Sequence, residues 1–404
     1  MKRSSIAAVL AVAALAACSD DSQTPLAVAP EAPAAGKYIV VLKDGGARQG
    51  PSFARVRAEG VAGEAEVKPT RVFTSVLNGF AAELTEAQLA SLRNNPDVAY
   101  IERDAEVKLF TTQANPISWG LDRIDQLDLP LNAAFTYTAT GAGVNAYILD
   151  TGINLNHLDY VGRANYIPNG ANGDFVGDGH GSAADCQGHG SHVAGTVGGV
   201  YSGVAKGVTI WAGRVVNCSG GGNASMVIAG MDWVAANGLK PGVVNMSLGY
   251  GNVTSVRDAA TRLVAAGFTV AVAAGNGNFI GQPINACNES PANSPNVITT
   301  GSTTNTDAES SFSNYGTCVD ILAPGSAIYS SDYLVTNQVV TKSGTSMASP
   351  HVAGVAAQYL QLNPTATPAQ VTTAIKNAGV LNTITLHRSS KRNGTPNRFL
   401  RTIW

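Results

Sequence analysis

Between residues 144 and 302 the chain repeats one pattern: a short, predominantly apolar run, then a stretch long enough to travel back before the next run. The runs fall at 144–149, 208–216, 243–248, 269–274 and 297–302. A strand apolar along its length has no face to give to water, so it must be covered on both sides. Two intervening stretches carry helix start and stop signals: 224–237, preceded by Asn223 and followed by Gly238, and 255–266, followed by Gly267. Strands buried on both faces and joined by crossover helices make a parallel sheet with helices above and below. The expected fold is α/β, a doubly wound parallel sheet. Of the 404 residues 45% are hydrophobic and 13% charged, enough apolar material for a large core and too little charge for a disordered chain. The formal net charge is −2 with no basic tract, so nucleic acid is not an expected partner.

Open α/β sheets build their sites at the carboxyl ends of strands. The run at 144–149 ends in Asp150-Thr151-Gly152, which places a carboxylate at such an end. A second candidate is Gly188-His189-Gly190-Ser191-His192-Val193-Ala194-Gly195, a histidine heading a helix of small residues that permit close packing. The third is Gly344-Thr345-Ser346-Met347-Ala348-Ser349-Pro350-His351, where Ser346 opens an apolar run and Pro350 sits about one turn in, where a missing N–H costs little. Backbone N–H groups at a helix start lack intrahelical partners, so an oxyanion forming beside Ser346 would be stabilised. A serine in that position alone could simply cap its helix. A nucleophilic serine needs a base and a group that orients the base, and the sites at His189 and Asp150 are the upstream candidates.

Upstream, Lys2 and Arg3 precede an apolar run at 6–17 that is too short to span a bilayer, the pattern of an export signal over residues 1–17. The run closes with Leu15-Ala16-Ala17-Cys18, which resembles a bacterial lipobox with Cys18 lipidated; plain cleavage at an Ala-x-Ala-like site is the alternative. Residues 18–36 form a linker rich in Pro and Ala. Residues 37–111 read as a small domain in the order β-α-β-β-α-β: strand 38–42, helix 53–66, strands 72–77 and 79–84 about an Asn78-Gly79 turn, a helix capped by Thr85, and strand 98–107. That order suggests a ferredoxin-like split βαβ fold. Residues 112–404 would form the larger domain.

The blocks at Asp150, His189 and Ser346 resemble the three signatures of subtilisin-like serine proteases, in the subtilisin order Asp, His, Ser, and the chain is most similar to the proteinase K and aqualysin-type branch. The resemblance implies a secreted endopeptidase of broad specificity with Asp150 as orienter, His189 as general base and Ser346 as nucleophile. Ala273-Ala274-Gly275-Asn276 resembles the family's oxyanion block, with Asn276 as donor. Ser247-Leu248-Gly249 and Ala274-Gly275 resemble walls of the pocket for the residue preceding the scissile bond, and Ser219, Gly220 and Gly221 resemble the edge strand on which substrate pairs. The small domain resembles an inhibitory propeptide that chaperones folding and is removed autocatalytically near Thr112. Protein and peptide substrates, the chain's own propeptide and a monomeric state follow from the same resemblance, and a lipid anchor follows from the lipobox-like Cys18.

Four cysteines remain, and their spacing leaves three pairings open while lacking zinc-type Cys-x-x-Cys. The resemblance implies Cys186 with Cys218 and Cys287 with Cys318. It also implies structural calcium, at Pro295, Val297 and Asp320 and at Asp122, Asp125 and Gln126, although Asn132 and Ala134 replace residues expected at the second site. No catalytic cofactor is expected. His192 lies three residues after His189, but no Glu stands between them as a metallopeptidase motif requires. His192 and His351 read as buried, and His157, His180 and His387 as surface residues. Two rival readings are a catalytically silent binding protein, although no triad member is missing, and an α/β-hydrolase esterase. The latter needs Gly two residues after the nucleophile, where this chain has Ala348, and His last in order.

Overall fold

The computed structural model describes residues 35–43, 50–104, 111–278 and 280–404, in two compact units, one within residues 1–107 and one within 108–404. The expected signal peptide, Cys18 and nearly all of the 18–36 linker lie outside the described residues.

The first unit is a four-stranded antiparallel sheet in the order Arg71–Phe73, Gly79–Leu84, Gly36–Leu42, Val98–Arg103, with helices Pro51–Glu64 and Glu86–Arg93. Its core gathers Val40, Phe80, Leu84, Leu89 and Leu92, all essentially without exposure. The second helix starts where Thr85 and Gln88 exchange side-chain and backbone hydrogen bonds as a capping box. One expectation fails here. Phe73 pairs with Gly79, so residues 74–78 form a five-residue loop, not a two-residue turn at Asn78-Gly79. Val76 is 98% exposed and has nothing to pack on, which removes the reason for the strand to continue.

The second unit is built on a nine-stranded sheet in which eight neighbouring strands run parallel, in the order Arg398–Phe399, Ile321–Pro324, Ile298–Thr303, Thr269–Ala273, Gly242–Met246, Asn145–Asp150, Thr209–Arg214 and Ala164–Tyr166, with Val380–Leu381 antiparallel at the edge beside Arg398–Phe399. Successive residues of one strand feed opposite cores. Ala146 and Ile148 pack with helices His189–Gly198 and Thr345–Leu362, while Tyr147 and Leu149 pack with Ala224–Asn237 and Thr254–Ala265. Each fully buried Leu, Ile or Val contributes about 1.5–3 kcal/mol relative to exposure, so neither face can be left uncovered. The chain leaves Asn145–Asp150 toward Thr209–Arg214 on one side, then crosses to Gly242–Met246 on the other. That reversal opens a crevice at the carboxyl end of the Asp150 strand.

Cys186 is bonded to Cys218 and Cys287 to Cys318, at sequence separations of 32 and 31. Loops of that size correspond to about 3–4 kcal/mol of stabilisation each on the chain-entropy account.

Candidate active site

Asp150 ends its strand almost fully buried, and its Oδ1 lies 2.8 Å from His189 Nδ1. An ionised carboxylate only accepts, so Nδ1 carries the proton and Nε2 is left as the basic nitrogen. The Asp150 strand and the His189 helix approach so closely that a Cβ on Gly190 would stand 2.1 Å from the Gly152 carbonyl oxygen. Only glycine fits at 190. Burial alone would lower the His189 pKa, but the charge and hydrogen bond of Asp150 outweigh it, with Lys342 opposing and Asp185 assisting, and the net displacement is upward.

Ser346 is the second residue of helix Thr345–Leu362. Its hydroxyl donates to Ser247 O at 3.1 Å, and the Ser247 hydroxyl donates back to Ser346 O at 2.8 Å. Asn276 lies just beyond strand Thr269–Ala273, and its Oδ1 accepts from both Thr345 N and Thr345 Oγ1 at 2.8 Å. A backbone N–H can only donate, so these bonds fix which end of the amide is oxygen and leave Nδ2 as a donor with no acceptor among the described residues. A Cβ at Gly344 would lie 3.2 Å from that Nδ2 and 3.6 Å from Ser346 N. The missing side chain therefore leaves a small space facing two N–H donors at a helix start, a geometry that suits a single anionic oxygen.

A cleft of about 350 Å³ runs past Asp150 and His189 and is bordered by Gly220, Gly221, Ser247, Leu248 and Gly249, all expected substrate contacts. Ser219 is exposed and does not border it, Ala274 is fully buried, and Gly275 stands under Asn314, whose Nδ2 would meet a Cβ at 2.3 Å. The expected edge strand at 219–222 begins instead in a turn that closes between Asn217 and Gly221. Asn217 Oδ1 accepts from Ser219 N and Gly221 N at 3.0 Å, and Gly220 adopts φ 81°, which curls the segment. Gln187 and Tyr250 also line the cleft and were not anticipated. Gln187 Oε1 accepts from His189 N at 2.9 Å, a contact whose only sequence signal is its place two residues before the histidine.

Residues 141–399 match the subtilase family, peptidase S8, and residues 37–110 match the peptidase inhibitor I9 family. The chain belongs to the subtilase family. This subtilase is 46% identical to an extracellular serine proteinase of Thermus sp. (strain Rt41A), over 94% of its own length and 97% of the relative's. It is 45% identical to alkaline serine exoprotease A of Vibrio alginolyticus, over 88% of this chain and 66% of the relative. A crystal structure of a cold adapted subtilisin-like serine proteinase superposes with a TM-score of 0.66 at 47% identity, covering 72% of this chain and all of that one.

The two calcium expectations for this subtilase part company in the structure. Asp320 Oδ1 accepts from Lys376 Nζ at 2.6 Å and Oδ2 from Thr299 N at 2.9 Å, so both oxygens are committed, one to an ammonium group. A divalent cation beside Asp320 would have to compete with the Lys376 ammonium. At the other position both oxygens of Asp122 accept from the backbone of Asn132 and Ala133, but Asp125 Oδ1 and Gln126 Oε1 are buried acceptors lacking a hydrogen-bond partner among the described residues. Burial, helped by the Asp122 charge, raises the Asp125 carboxyl to about 6. Buried oxygen acceptors left over in this way fit calcium.

His192 and His351 are fully buried, with His192 Nε2 donating to Ile328 O at 3.0 Å and His351 Nδ1 to Met347 O at 2.8 Å. Burial pushes them down to about 3 and about 4, so both stay neutral. His157 corrects the sequence reading: it is only 3% exposed, with Nε2 2.8 Å from Gln338 O. The segment that covers it is 181 residues away in sequence, beyond any local pattern. His180 and His387 are exposed.

Proposed function

We propose that this serine endopeptidase works through Asp150, His189 and Ser346, with the oxyanion held by Asn276 and the Ser346 N–H. The observation that carries the reading is the 2.8 Å contact of Asp150 with His189 on the wall of a cleft that also holds Ser247, the residue to which Ser346 is hydrogen-bonded. When a peptide enters, the Ser346 hydroxyl turns from the Ser247 carbonyl to His189 Nε2. Its proton passes to Nε2 as Oγ bonds to the scissile carbonyl carbon, and the carbonyl oxygen takes up the charge between Asn276 Nδ2 and Ser346 N. The C–N bond then breaks as His189 returns the proton to the leaving amine; a water next attacks the acyl carbon as His189 takes its proton, and His189 gives that proton to Ser346 Oγ as the acid leaves.

The glycine-lined cleft recognises substrate chiefly by its backbone, which supports broad specificity. Residues 1–17 direct export, in keeping with the extracellular relative, with Cys18 as a lipid attachment point ahead of a linker to residue 36. Residues 37–111 act as an inhibitory propeptide that residues 112–404 remove from themselves, in keeping with the inhibitor-family match. Calcium, when bound, would be held by Asp125 and Gln126 and would enter no step of the chemistry.

A phosphonofluoridate probe tests the assignment directly. One equivalent is expected to attach, on the peptide containing Ser346; labelling elsewhere with full inactivation would refute the nucleophile. Asn276→Ala is expected to lower kcat by about 10²–10³ with KM little changed, because the donor works on the charged state and not on bound substrate. A KM effect with unchanged kcat would remove Asn276 from the oxyanion role.

A further inference from the structure

Asp185 touches neither the nucleophile nor the base, yet five donors from three segments converge on its carboxylate. Oδ1 accepts from Thr151 Oγ1 at 2.9 Å, Gln187 N at 3.0 Å and Gly188 N at 2.8 Å. Oδ2 accepts from Ser191 N at 2.9 Å and Ser191 Oγ at 2.7 Å. Each of the two residues gripped by hydroxyl then holds another backbone group. Thr151 Oγ1 accepts from Gly190 N at 2.9 Å, and Ser191 Oγ accepts from Asn154 N at 3.0 Å. The carboxylate thus ties the chain just after Asp150 to the loop before His189 and to the first turn of the His189 helix.

The helix has no cap of its own. Gly188 precedes it with φ 95° and no side chain, so the N–H groups of the first turn need an outside acceptor. Asp185 supplies one, with a charge placed where the helix dipole favours it. Only an ionised acid can take all five bonds, since any side chain that carries a hydrogen would set donor against donor. The neighbouring Cys186 is fixed to Cys218, which anchors the loop from its other side.

We infer that Asp185 is a positioning residue for the catalytic pair, locking the Asp150 strand end and the His189 helix head at the spacing and angle that their hydrogen bond requires. This rests on the triad reading above. Two consequences separate it from a merely stabilising role. A loosened clamp lets the imidazole tilt, which slows the proton transfers that define kcat more than it weakens substrate binding. Asp185 also adds negative charge near His189. The groups acting on that ring are Asp150 and Asp185, which favour its protonated form, Lys342, which opposes it, and His192, which is neutral.

The experiment compares wild type with Asp185→Asn, and with Ser191→Ala and Thr151→Val, which each remove one hydroxyl donor and keep the charge. Turnover is expressed per site titrated with the phosphonofluoridate, so that misfolded protein drops out. Asp185→Asn is expected to lose about 10–100-fold in kcat per titrated site with KM within about twofold. The acid limb of its kcat/KM profile is expected to move to lower pH. Ser191→Ala and Thr151→Val are expected to lose less kcat and to keep the wild-type limb. Unchanged kcat per site and an unmoved limb in Asp185→Asn would overturn the inference. If that variant yields no folded protein, unchanged kcat per site in both hydroxyl variants overturns it equally. A Ser346→Ala control that stays active would instead bring down the triad reading itself.

Discussion

Ser346→Ala is expected to lower kcat/KM on a peptide amide by about a millionfold and to leave residues 37–110 attached, whereas wild type separates into a fragment starting near Thr112. The magnitude is the one known for breaking the triad of subtilisin itself and is not calculated from this geometry. The direction follows from the site. Alanine removes the oxygen proposed to bond to the carbonyl carbon, while Asp150, His189, Asn276 and the Ser346 N–H position remain in place. The fold should survive, because among the described residues the lost hydroxyl makes one hydrogen bond, to Ser247 O, and a typical one is worth about 1 kcal/mol net. Intact mass and N-terminal sequencing read the outcome, with thermal denaturation as the control. A variant that still trims itself, free of any added protease, would show that another group performs the attack.

The parallel sheet was legible because its strands are apolar along their length, and helix Ala224–Asn237 because Asn223 and Gly238 bracket it. Asp150, His189 and Ser346 stood out because each sits where a strand ends or a helix begins, positions that local pattern reveals. What escaped was set by which side chains accept hydrogen bonds and from where, some of those partners being distant in sequence. Nothing near Asp320 points to Lys376, 56 residues on, whose ammonium takes one of its oxygens. The turn between Asn217 and Gly221 depends on the Asn217 side chain acting as an acceptor for two backbone groups, where the glycines alone are equally compatible with an extended strand. In sequence Asp185 is one more acid near Asp174 and Asp178, and its role comes from donors at 151, 187, 188 and 191 that folding brings together.

Asp150→Asn is expected to cut kcat by about 10⁴ while leaving the site's shape intact. Asp150 Oδ1 accepts from His189 Nδ1 and also from Thr151 N at 2.7 Å, and Oδ2 is buried without a hydrogen-bond partner among the described residues. An asparagine that keeps its oxygen in the Oδ1 place retains both bonds but buries an amide NH₂ with nothing to donate to. One that flips meets His189 with a donor, so the ring must expose its N–H to Ser346 and cannot take the proton. Either way the charge is gone. That charge is what lifts the His189 pKa against burial, so its removal lets the pKa fall. A base must be neutral to act, so the residual activity of the variant should persist to lower pH than that of wild type, on a far lower plateau. Stability carries the opposite sign. A histidine with a raised folded-state pKa stabilises the wild-type fold fully below its ordinary value of 6.5, and the contribution is lost as pH rises through the folded value. In Asp150→Asn, desolvation is left as the larger influence, and acid should weaken the fold at this position. Melting temperatures of the two proteins measured between pH 5 and 8 should therefore diverge toward the acid end, with the variant lower, and parallel curves would mean that the Asp150 charge does not reach the imidazole.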